Sequence, residues 1–190
     1  MKDVFVLEPT TTVLADCSYL MSYPYLLKYF AGKNHFSAED VICGAHMAYG
    51  WMPTILALDF NSPEIDAVSA ARILTKAKNK GVLLDEELVR LASLINNSFV
   101  GASKLLHFVA PERFAIWDSK VYAYIHEEAP HNYRVNKVEN YQKYLHLLNE
   151  LKKDLRFNSF HDSVNIKVKY DVSAFRALEL VMYLNAPVIG

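Results

Sequence analysis

Apolar residues recur at three- and four-residue spacing along most of the chain, a period that predicts amphipathic helices. From Asp16 to Ala31 apolar and aromatic residues dominate until Gly32, and Pro24 inside the run predicts two short helices or one bent helix. Ser37 stands as an N-cap before a buried helix carrying Val41, Ile42, Ala45 and Met47, which Gly50 and Pro53 interrupt. Ser62-Pro63-Glu64 predicts a helix start and Asn79-Lys80-Gly81 its basic end. Asp85 is placed to cap the next helix, with Leu88, Leu91, Ala92 and Ile95 on one face. Asn96-Asn97-Ser98 then turns the chain, and Gly101 opens a short helix that Pro111 closes near Ala110.

Beyond that turn, Asp118 is expected to cap a helix from Ser119 to about Glu127, with a surface loop at Ala129-Pro130-His131-Asn132. Two further helices are predicted over Val138 to Leu155 and Val172 to Leu184. Between them Val164-Asn165-Ile166-Lys167-Val168-Lys169 alternates apolar with polar and reads as a strand, for which Val4-Phe5-Val6-Leu7 is the candidate partner. The expectation is a mainly α, single-domain helical bundle over residues 1–190 with one small two-stranded β element.

Composition changes this picture only by exclusion. A chain of 190 residues, 52% apolar, fills one core, and the formal net charge of -1 gives no global attraction to phosphate. Nucleic-acid binding therefore requires a local patch. Two cysteines, Cys17 and Cys43, are too few for a disulfide framework or a thiolate metal site, which points to a reducing cytoplasm. The seven histidines show no ligand spacing, so no metal is expected; no uncharged apolar run approaches membrane-spanning length, and Met1-Lys2-Asp3-Val4 has no signal-peptide character.

Two short helices joined by a turn ending Val100-Gly101, then a loop and Ile116-Trp117-Asp118-Ser119-Lys120-Val121 entering a helix, form a specific arrangement. It resembles the helix-hairpin-helix DNA glycosylase superfamily over about residues 85–126. Ile116, Asp118 and Val121 match a catalytic segment of the type Ile-Leu-Asp-Gly-Asn-Val in adenine glycosylases. Where the family's hairpin has two glycines, Asn97-Ser98-Phe99-Val100-Gly101 keeps only the second. The resemblance implies an all-helical fold and a catalytic role for Asp118, whose carboxylate would stabilise positive charge developing on the sugar as the N-glycosidic bond breaks. A plain capping role is the alternative.

Lys104 is the second catalytic candidate, since 8-oxoguanine glycosylases carry a Schiff-base lysine in the helix after the hairpin. That lysine lies two residues past the hairpin glycine. Ser103 occupies the matching slot here and Lys104 the next, about 100° further round a helix, so water is the expected nucleophile. Asn97 and the backbone amides of Val100, Gly101 and Ala102 are expected to hold a DNA phosphate, with Ser103 and Lys120 completing the DNA contact. The resemblance also allows a monovalent cation at the hairpin; no other cofactor is expected. Tyr49, Trp51 and Trp117 are candidates to line a pocket for a flipped base. The function expected is a monofunctional DNA glycosylase acting on double-stranded DNA as a monomer, in repair or in defence against modified foreign DNA. The alternatives are a non-catalytic hairpin DNA-binding module and a helical interaction protein. The target base stays open, because a pocket's preference comes from side chains scattered over several helices.

Overall fold

The computed structural model describes residues 1–51, 55–59 and 62–187. Eleven α-helices follow one another along the described residues: α1 (Val4–Leu7), α2 (Ser18–Ala31), α3 (Ala38–Trp51), α4 (Ala67–Lys80), α5 (Asp85–Leu94), α6 (Phe99–Val109), α7 (Ser119–His126), α8 (Asn132–Val135), α9 (Val138–Leu151), α10 (Phe157–Val168) and α11 (Ala174–Leu184). A single 3-10 turn, Glu8–Thr10, follows α1. None of these helices is long and apolar enough to cross a membrane.

The bundle is built around α6, which packs against α2, α3, α4 and α5, while α7 packs on α11. Every residue of α6 except Val100 is buried, Lys104 and His107 included. An apolar helix surrounded on all sides has no solvent face to give its polar residues, so their hydrogen bonds and charges must be met inside the protein. α11 is the second such helix: Ala174 to Met182 are all buried, among them Arg176 and Glu179.

Caps explain most helix boundaries, and they correct several expected ones. The Asp66 carboxylate accepts from the Ser69 amide at 2.6 Å, so α4 starts there and not at Pro63. Asp85 is the first residue of α5; Leu84 is its N-cap, and the Glu87 carboxylate accepts from the Leu84 amide at 2.7 Å. Gly81 does end α4, in the left-handed conformation (φ 66°). Pro24 is accommodated within a continuous α2. α9 stops at Leu151, short of Leu155. Pro53, expected to interrupt α3, lies outside the described residues.

No strand forms among the described residues; only an isolated bridge joins Leu58 to Ile95. The alternating segment 164–169 is the last turn and cap of α10, whose inner face is Phe157, Phe160, Val164 and Val168. Val164 and Val168 lie one turn apart on that face, and Ile166, the third apolar residue of the alternation, is 78% exposed. Its expected partner, Val4–Leu7, is a single helical turn capped by Asp3. The two segments do meet, through an edge-on contact of Phe5 and Phe160 with ring centroids 5.2 Å apart.

Candidate active site

The hairpin is α5, a turn through Ile95 to Ser98, and α6. Asn96 and Asn97 both adopt positive φ, 54° and 47°, a conformation Asn tolerates better than most residues. The Asn96 side chain accepts from the Ala57 amide and donates to the Ile55 carbonyl, tying the turn to the segment after α3. α6 begins at Phe99, whose amide donates to the Asn136 side chain at 3.0 Å. The Ala102 amide is already bonded to the Ser98 carbonyl within the helix. Of the three amides expected to meet a phosphate, only those of Val100 and Gly101 make no hydrogen bond among the described residues. Gly101 lies inside the helix and not at its opening. A Cβ at that position would collide with the Tyr49 hydroxyl, so the missing side chain makes room for Tyr49.

Ser103 is fully committed to structure: its hydroxyl accepts from the Trp117 amide at 3.0 Å and lies within donating distance of the Val100 and Trp117 carbonyls. Lys104 is the α6 side chain that lies in the field of Asp118 and Glu179. It is only 8% exposed and makes no hydrogen bond among the described residues. Burial lowers its pKa, the carboxylates of Asp118 and Glu179 oppose that shift, and Arg176 adds to it.

Asp118 caps α7, one carboxylate oxygen accepting from the Val121 amide at 2.9 Å. The cap fixes the side chain at the helix N-terminus, among oriented amides complementary to negative charge. Directly before it, Trp117 is wholly buried; its indole N–H donates to the Val135 carbonyl at 2.9 Å and its ring meets Tyr122 and Tyr144. Trp117 therefore anchors the loop that carries Asp118 and lines no open pocket. Lys120 is exposed, its ammonium 4.4 Å over the Tyr183 ring, beside a surface cleft of about 460 Å³. Tyr49 is buried against Gly101.

Trp51 alone of the three pocket aromatics reaches the charged cluster. It is half-buried and stacks on Tyr19 with centroids 3.9 Å apart, and its indole N–H donates to the Tyr19 carbonyl at 2.9 Å. Beneath the pair, Arg176 places its guanidinium 5.3 Å from the Tyr19 ring, 5.1 Å from Tyr23 and 5.7 Å from Trp51. Arg176 pairs with Glu179 one turn along α11, both side chains wholly buried. Burial pushes Glu179 up to about 7; Arg176 pulls it back and Asp118 pushes it further. The sequence reading missed this pair. Two opposite charges at i and i+3 in an otherwise apolar helix were the signal, because such a helix has nowhere polar to put them.

His107, on the same helix as Lys104, is structural. Its Nδ1 lies 2.8 Å from the Phe114 carbonyl and its Nε2 2.6 Å from the Tyr23 hydroxyl, so the neutral ring donates to the first and accepts from the second. Among the described residues no group of His, Cys, Asp and Glu is placed to hold a metal ion. No known family model, curated protein or solved structure matches this chain.

Proposed function

We propose that the protein is a DNA glycosylase in which Lys104 is the nucleophile and Asp118 the carboxylate that serves it. The observation that carries this reading is the placement of Lys104: an amine buried on a central helix, free of hydrogen bonds among the described residues, in the field of a capped Asp. A lysine held only for stability is normally exposed or ion-paired, whereas burial that lowers an amine's pKa favours its unprotonated, nucleophilic form. The sequence register favoured water as the attacking group; the burial of Ser103 under Trp117 and the position of Lys104 favour the amine.

In the proposed reaction the unprotonated Lys104 Nζ attacks C1′ of a flipped nucleotide. The Nζ–C1′ bond forms as the glycosidic bond breaks, and the base leaves with the bonding electrons and takes up a proton. Asp118 stabilises positive charge on the sugar and accepts a proton that Lys104 sheds; the C1′–O4′ bond then breaks, its electrons and that proton going to O4′, and the open-chain sugar is left joined to Lys104 as a protonated imine. Water then releases the abasic sugar, or elimination cleaves the strand. The partner is double-stranded DNA, met by a monomer in the cytoplasm. The turn at Asn97 and the amides of Val100 and Gly101, with Lys120 at the far end of the loop, supply the phosphate contacts.

Purified protein incubated with duplexes carrying single modified bases tests the reading, abasic sites being revealed by alkaline cleavage. Asp118→Asn keeps the shape and the cap but loses the charge, so it should fold normally, bind duplex as well as wild type, and release base at least about a hundredfold more slowly. Equal turnover by that variant, or no abasic site on any duplex, would remove the assignment.

A further inference from the structure

The Arg176–Glu179 pair is only half satisfied. Arg176 uses Nη1 on Glu179, while its Nε and Nη2, and Oε1 of Glu179, are buried without a hydrogen-bond partner. The Tyr19 hydroxyl lies beside the guanidinium. Nε and Nη2 lie on one edge of the guanidinium and point the same way, so they form a free fork of two parallel N–H donors. Leaving such groups unpaired costs stability, and a ligand that hydrogen-bonds to them would recover that cost.

We infer that Arg176 and Glu179 read the edge of the base that the site excises, selecting a base with two adjacent acceptors followed by an N–H donor. The inference rests on the glycosylase reading above. Three features meet at the fork. Donors arranged in parallel match two neighbouring acceptors and reject an edge that alternates acceptor and donor. The free Glu179 oxygen takes the donor that follows. Tyr19, Tyr23 and Trp51 wall the fork with aromatic faces, the surroundings a flat extruded base requires, and of these Tyr19 and Trp51 are only half-buried. Lys104 and Asp118 act electrostatically on Glu179, so the fork sits within the field of the groups proposed to react.

The edge fits two sources: cytosine-type bases, through O2, N3 and the N4 amine, and guanine-type bases, through N7, O6 and N1–H. Uracil-type edges alternate acceptor, donor, acceptor, and N6-methyladenine offers no adjacent pair. The test sets four duplexes of one sequence against the unaltered protein, carrying a 5-substituted cytosine, an N2-substituted guanine, uracil or N6-methyladenine, with abasic sites counted. Release confined to the cytosine or the guanine arm is expected, and the arm that reacts names the source. Arg176→Lys keeps the charge and loses the fork, and should slow that release by about 10- to 100-fold. It should bind a duplex carrying an abasic analogue like wild type, a readout that a merely structural role for Arg176 would alter. Release from the uracil or adenine arm at a comparable rate overturns the base assignment and leaves the glycosylase reading standing. Release from no arm, with the abasic analogue still bound, removes both.

Discussion

Ser103 and Lys104 are neighbours to which the proposed function gives opposite duties, and the difference is measurable. Ser103→Ala leaves the Trp117 amide buried without its acceptor and should cost about 1–3 kcal/mol in urea denaturation. The surviving folded enzyme should release base at the normal rate, and a selective loss of turnover would return Ser103 to the site. His107 carries a prediction in pH. Burial lowers its pKa from 6.5 to about 3, with Arg176 adding to the shift and the Phe114 hydrogen bond opposing it. The unfolded chain therefore takes up a proton near pH 6.5 that the folded chain refuses until about pH 3. Its contribution to stability is full above 6.5 and is lost as pH falls through that window, by at most about 1.4 kcal/mol per pH unit. His107→Gln should flatten the slope of stability against pH between about 6 and 4 relative to wild type; an unchanged slope would contradict a buried neutral ring.

At the scale of the element, α6 shows why motif spacing was an imperfect guide. Gly101 reads in sequence as a phosphate-facing glycine, but its Cα faces Tyr49, whose ring carbons would stand only 2.7 Å from a side-chain Cβ at that position. Gly101→Ala should destabilise the protein by about 1–3 kcal/mol through overpacking. Tyr49→Phe in the same chain should recover part of that loss, read as non-additivity in a double-mutant cycle. Additive losses would mean that the two positions do not touch. Helix identity was legible wherever caps and periodicity agreed, as at Asp118 before α7 and Gly81 after α4. It failed at α10 because a six-residue window cannot tell Val164-x-Ile166-x-Val168 as a strand from one helical face with an exposed Ile between. Phe160 and Phe157, one and two turns before Val164, complete the helical face that the short window cut off.

The molecule as a whole carries a net charge of -1, so the proposed hold on DNA has to come from few contacts. Lys120→Ala should reduce the slope of log affinity against log salt by about one phosphate contact and weaken all duplexes alike. A loss confined to one base would place Lys120 in recognition of that base instead. The parts of the site legible in sequence were those marked by local chemistry: Asp118 at its cap and the turn at Asn97. Arg176, Glu179 and Tyr19 come from α11 and α2, far from the hairpin in sequence, and only the tertiary packing places Arg176 and Glu179 in the field of Lys104. The central claim is that Lys104 is the reacting amine. Borohydride added during the reaction, on the duplex whose base is released, should trap wild-type protein as a covalent protein–DNA adduct. Lys104→Ala should give no adduct while still binding a duplex with an abasic analogue. Base release by wild type without any trapped adduct, or an adduct that persists in Lys104→Ala, would contradict the account.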